Sequence, residues 1–113
     1  MIKYRDETVD VTVANTGTVS TSFKAENWVS FHGAYFPAMD NGAIGLQASS
    51  DDTNFYTILD PTDGEAVVLC ASGSDPGMVD FSDFVRFIPD GYYLRFTCAA
   101  QTGAKTIKVF RRG

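Results

Sequence analysis

No stretch of this sequence approaches the ~18 consecutive apolar residues of a membrane-spanning helix. The opening Met1-Ile2-Lys3-Tyr4-Arg5-Asp6-Glu7 lacks the apolar core of a secretory signal. The expectation is a chain without a membrane partner, made and folded in a cytoplasm. Positive charge is scarce: nine Lys and Arg stand against fourteen Asp and Glu, a net charge of −5. That balance argues against general nucleic-acid binding, which needs a basic footprint to release counterions. Histidine occurs once, at His32, and tryptophan once, at Trp28. The two cysteines, Cys70 and Cys98, are too few and too far apart for a thiolate metal site. They read as small apolar side chains in or beside strands. A disulfide is the sharper alternative, and a cytoplasmic origin counts against it. Long runs of Ala, Glu, Leu and Lys are missing too, so nothing calls for long helices.

What is present points to β structure. The chain has 113 residues, the length of one domain, with nine Phe, five Tyr and ten Gly. Val9, Val11 and Val13 alternate with Asp10 and Thr12. Thr18 to Phe23 predicts a second short strand, and Trp28 to Phe36 a third that Pro37 should end. Asn41-Gly42 marks a turn. Gly42 to Asp60 then reads as a hairpin around the polar tip Ser49-Ser50-Asp51-Asp52-Thr53-Asn54. Ala66 to Ala71 predicts a buried strand. Val79 to Phe87 reads as a strand or a helical turn, with Asp80 a possible N-cap. Tyr92 to Cys98 is the clearest period-two stretch, and Lys105 to Arg111 closes the chain. The expected fold is all-β, a single-domain β-sandwich or jelly roll of about eight antiparallel strands over residues 1–113. Residues 1–8 form a charged lead-in that reads as an arm for a neighbouring subunit or as a frayed end.

No pattern here carries catalysis or a cofactor. The acidic turn residues Asp51, Asp52, Asp60, Asp63 and Glu65 do not match a calcium loop and read as solvated turns. His32 lacks a nucleophile motif beside it, and no glycine loop opens a helix for phosphate. The expectation is a protein that is not an enzyme. Surface contact is the better lead. In the last strand Ile107 and Val109 share one face; Lys108, Phe110 and Arg112 share the other, with Lys105 and Arg111 nearby. Lys3, Tyr4 and Arg5 of the lead-in, with Lys108, Phe110, Arg111 and Arg112, are the candidate partner contacts. Two readings stay open for Phe110: contact with an acidic partner, or a core cap with the basic groups guarding an edge strand. Trp28 and Tyr93 are the aromatics to check for exposure, because sugars stack on such rings.

Five segments carry a resemblance. Gly33-Ala34-Tyr35-Phe36-Pro37-Ala38-Met39 and the run Ile44 to Tyr56 resemble small structural proteins of tailed bacteriophages. So do Asp80-Phe81-Ser82-Asp83-Phe84, Tyr93-Leu94-Arg95-Phe96 and Thr106 to Arg112. Thr53 and Asn54 stand where such sequences commonly have glycine. The resemblance covers the chain after about Val19 and is closest to capsid decoration, or cement, proteins. It implies a jelly roll, a homotrimer at a capsid symmetry axis, the major capsid protein as partner and the capsid surface of the virion as location. It carries over no individual functional residue. A tail, baseplate or head-fibre module is the alternative within that setting, and a carbohydrate-binding adhesion module the alternative outside it.

Overall fold

The computed structural model describes residues 6–26 and 31–113 of the chain. Within them run β1 (Asp6–Val13), β2 (Phe23–Lys24), β3 (Phe31–Phe36), β4 (Gly45–Ser49) and β5 (Tyr56–Thr57). Then follow β6 (Gly77–Asp80), the helical turn α1 (Ser82–Val85), β7 (Tyr93–Thr97) and β8 (Lys105–Arg112). They build two antiparallel sheets, β1-β8-β3-β6 and β2-β7-β4-β5. The pairs 1–8 and 3–6 share one sheet; 2–7 and 4–5 share the other. This nesting is the jelly roll, and it matches the expected all-β class and strand number.

Period-two alternation fills the space between the sheets. Val11 and Val13 of β1, Ala34 and Phe36 of β3, and Ile107 and Val109 of β8 face Leu46 of β4 and Leu94 and Phe96 of β7, all buried. Phe96 is the hub: the rings of Phe36, Phe23 and Phe81 stand 5.2, 5.6 and 5.6 Å from it. Such ring pairs contribute about 0.5–1.5 kcal/mol each beyond their buried area.

The hairpin forms, with Gln47 opposite Thr57 and Ala48 opposite Tyr56. Its tip is tied by one carboxylate. Asp51 Oδ1 accepts the N–H groups of Thr53 (3.0 Å) and Asn54 (2.8 Å) and the Ser49 hydroxyl (2.8 Å). Oδ2 accepts the Asn54 side-chain amide at 2.8 Å. The Asn54 and Thr53 backbone bonds lead in holding this carboxyl far below the usual carboxylate range. In the next turn Asp60 and Asp63 accept the N–H groups of Thr62 and Glu65, each at 2.9 Å.

Three local expectations differ from the structure. Residues 18–23 are not one strand: the chain crosses between sheets, touching Val13 through Ser20 and Thr97 through Val19, and only Phe23–Lys24 pairs as β2. Residues 66–71 make only the isolated bridges Leu59–Ala66 and Ile44–Cys70, and the segment is not buried throughout: Val67 is inside and Val68 exposed. Asp80 does not cap α1 as its N-cap residue. Phe81 holds that position without a side-chain cap, and Asp80 Oδ1 takes the Ser82 N–H at 2.9 Å. Cys70 and Cys98 are free, half-buried thiols, and burial raises the Cys98 pKa.

Candidate contact surface

The charged last strand lies inside its sheet. β8 pairs with β1 over all of Asp6–Val13 and with β3 from Phe31 to Tyr35. An edge-guard role for its basic residues therefore fails, because β8 is not an edge. Its charge is also answered by the neighbouring strand. Arg112 Nε meets Asp6 Oδ1 at 2.7 Å, and Lys108 Nζ meets Asp10 Oδ1 at 3.3 Å. The surface is thus not a basic patch waiting for an acidic partner.

Register places the outward side chains in three rows. Asp6, Arg112 and Phe31 make one; Thr8, Phe110, Gly33 and Asp80 the next; Asp10, Lys108, Tyr35 and Met78 the third. At the centre Gly33 lowers the surface. A Cβ there would lie 3.0 Å from the Phe31 ring and 3.3 Å from the Val79 carbonyl oxygen. Phe31 leans over this gap, and a groove of about 530 Å³ opens between Phe31, Phe110, Met78 and Asp80. Phe110 is half-buried, Phe31 is 37% exposed and Met78 71%. An apolar centre framed by ion pairs is the anatomy of a protein contact surface.

The predicted contact residues divide. Lys108, Phe110 and Arg112 share this outer side. Arg111 does not: alternation sends it inward with Ile107 and Val109, and it is 7% exposed. There it pairs with Glu7 and donates to the Lys24 carbonyl of the facing sheet. A contact role for Arg111 is corrected accordingly. Lys3, Tyr4 and Arg5, like Trp28, lie outside the described residues.

Phe31, Gly33, Tyr35 and Met78 escaped sequence reasoning. The odd-numbered alternation of Phe31, Gly33 and Tyr35 in β3 was visible. That β6 lies beside β3, some forty residues away in the chain, was not.

His32 sits on the inner side, opposite Arg111 in the ladder and 5.6 Å from the Phe81 ring. Burial first, then the Arg111 charge, lowers its pKa to about 4, against an opposing pull from Asp80. Ser82 and Asp80 are close by, but not as a catalytic set. The Ser82 hydroxyl oxygen accepts the His32 backbone N–H at 2.8 Å and its hydroxyl donates to the His32 carbonyl at 3.2 Å. The ring Nε2 is buried without a hydrogen-bond partner among the described residues. Ser82 therefore straps β3 to the segment after β6. Among the described residues, no three of His, Cys, Asp and Glu gather as a metal site.

No protein-family model matches the chain, and no curated protein matches it. Among solved structures it is similar to the SPBc2 prophage-derived protein YomS, at 13% identity and a TM-score of 0.41 over 100% of this chain and 98% of that one. It is also similar to a Bacillus endospore appendage protein of disulfide-linked pili, at 14% identity and a TM-score of 0.38 over 96% and 86%. A third similarity is to dTDP-4-dehydrorhamnose 3,5-epimerase from Bacillus anthracis, at 14% and 0.32 over 96% and 51%. Likenesses of this order fix neither partner nor activity.

Proposed function

We propose that the chain is a virion structural protein of a tailed bacteriophage, a decoration protein that cements the head by seating on the major capsid protein. The role is adhesive, not catalytic, and the unit that binds is a homotrimer. The outer side of the β1-β8-β3-β6 sheet carries the reading: Phe31, Phe110, Tyr35 and Met78 surround Gly33, with Asp6–Arg112 and Asp10–Lys108 as a neutralised frame. The resemblance to phage structural proteins supplies the setting. Many copies on one shell turn a modest single contact into firm attachment.

Co-sedimentation with purified empty capsids lacking the protein tests this. Phe110→Asp should reduce binding by more than about tenfold, because it charges the centre of the patch. Lys108→Glu should cost less, since it changes the solvated frame. Capsids carrying the protein should open at a higher temperature than bare ones. Equal binding by the Phe110 variant, or absence of the protein from purified virions by mass spectrometry, overturns the proposal.

A glycan-binding adhesion module is the second reading, favoured by the other sheet. There Arg95 lies 3.9 Å over the Phe55 ring and donates to Gln47 Oε1 at 2.8 Å. The half-buried Tyr93 lies beside it, 5.4 Å from Lys24 Nζ. Rings and planar polar groups of this kind suit a sugar face. Glycan-array binding that Tyr93→Ala abolishes would favour it over the capsid role.

A further inference from the structure

β6 is an edge strand with a groove on each side of it. Among the described residues it pairs only with β3, in the register Gly33–Asp80, Ala34–Val79, Tyr35–Met78 and Phe36–Gly77. The Phe81 N–H donates to the His32 carbonyl at 3.0 Å, which marks that opposite pair as a bonded one. Bonded pairs alternate along an antiparallel ladder. Ala34–Val79 and Phe36–Gly77 are therefore the next bonded pairs. The N–H and C=O groups of Met78 and Asp80 point to the open edge.

A short bare edge is ordinary. The two grooves set this one apart. The outer groove of about 530 Å³ contains Asp80 beside Phe31 and Phe110. A second, of about 330 Å³, opens between the sheets and contains Asp75 beside Phe36 and Ile44. Met78 and Val79 belong to both. A strand laid along β6 would send alternate side chains to opposite sides, one set towards each groove.

We infer that β6 is a strand-addition site for an extended segment of a partner protein, with small apolar side chains in its middle and Lys or Arg at its ends. Charge selects this occupant. Asp75 and Asp80 bracket the strand, one at each end and one in each groove. A second copy of this edge would bring carboxylates against carboxylates on a chain already at −5. A basic-ended segment meets both and gains the free main-chain bonds of Met78 and Asp80. The inference deepens the reading of this sheet as a contact surface, naming the element that takes the partner and the partner's chemistry.

The probe is a capped peptide of alternating valine and threonine with a lysine at each end, titrated into the isotope-labelled protein. Amide hydrogen exchange should slow at Met78 and Asp80, while Val79, already bonded to β3, stays unchanged. A glutamate-ended peptide should bind about tenfold more weakly. A lysine-ended peptide N-methylated on its edge-facing amides should not bind. Met78→Pro removes an edge N–H that the β3 ladder does not use and should abolish binding. Asp75→Lys, in an exposed loop, should weaken it without touching the strand. The inference is overturned if no peptide slows the Met78 and Asp80 amides, or if the N-methylated peptide binds equally. It is also overturned if the protein self-associates through those amides in sedimentation. Peptide binding without capsid binding would remove the decoration role and leave the strand-addition site standing. Capsid binding without it would do the reverse.

Discussion

The two ends of the β1–β8 ladder are sealed by different chemistry. Beyond Val13 and before Lys105 the closure is built mainly from amides, with the Asp40 carboxylate accepting the Thr102 N–H and hydroxyl at 2.9 Å each. The buried Gln101 side chain accepts the Asp40 N–H at 2.9 Å and donates to the Ala99 carbonyl at 2.8 Å. The Thr16 N–H reaches the Gln101 carbonyl at 2.7 Å, and the Gly103 N–H reaches Asn15 Oδ1 at 2.8 Å. At the Glu7 end the closure is charged. Arg111 spans from Glu7 to the Lys24 carbonyl across the sandwich, with His32 beside it holding a ring nitrogen that has no hydrogen-bond partner among the described residues. Amide closures are indifferent to pH. An ion pair between a buried guanidinium and a half-buried carboxylate, next to a neutral histidine, is not, because the Arg111 charge sits in a poor solvent.

Four experiments separate the ends. Arg111→Ala should be the most damaging, costing about 3 kcal/mol in urea unfolding, because it removes a buried guanidinium that bonds both Glu7 and the Lys24 carbonyl. Replacing the pair together, Glu7→Leu with Arg111→Met, should cost far less. A double variant as unstable as the single would show that charge is not what closes this end.

Acid is the second test. His32 has its folded pKa lowered from 6.5 to about 4. Above 6.5 it is neutral folded and unfolded, and adds no pH dependence. Between 6.5 and about 4 the unfolded chain takes up the proton that the fold refuses, so stability falls with pH. The loss should reach on the order of 3 kcal/mol and flatten in His32→Leu. Below that window Asp51 and Asp80, both with lowered pKa, take over. Their contribution is present above the usual carboxylate range and is lost as they protonate.

Gln101→Ala should cost about 1–3 kcal/mol by stranding the Asp40 N–H and the Ala99 carbonyl. It should do so equally at neutral and acid pH. A pH-dependent loss would break the comparison. The smallest effect is expected at Thr16, a β-branched residue held at φ 65°. Thr16→Asn should stabilise by under about 1 kcal/mol, read as a small rise in Tm.

The strand faces were legible in the sequence because alternation is local. Val11, Val13, Leu94, Phe96, Ile107 and Val109 are all inside, and the Gly42 to Asp60 hairpin forms where its polar tip places it. The same alternation already put Lys108, Phe110 and Arg112 on one side. Which strands flank β8 was decided only by the tertiary structure, because sheet order joins residues up to 106 positions apart, as in Asp6 with Arg112. That order turned an apparent basic patch into a neutralised frame. It also set Met78 of β6 beside Tyr35 of β3. The period of a strand is written in neighbouring residues; the partner of a strand is a property of the closed sandwich.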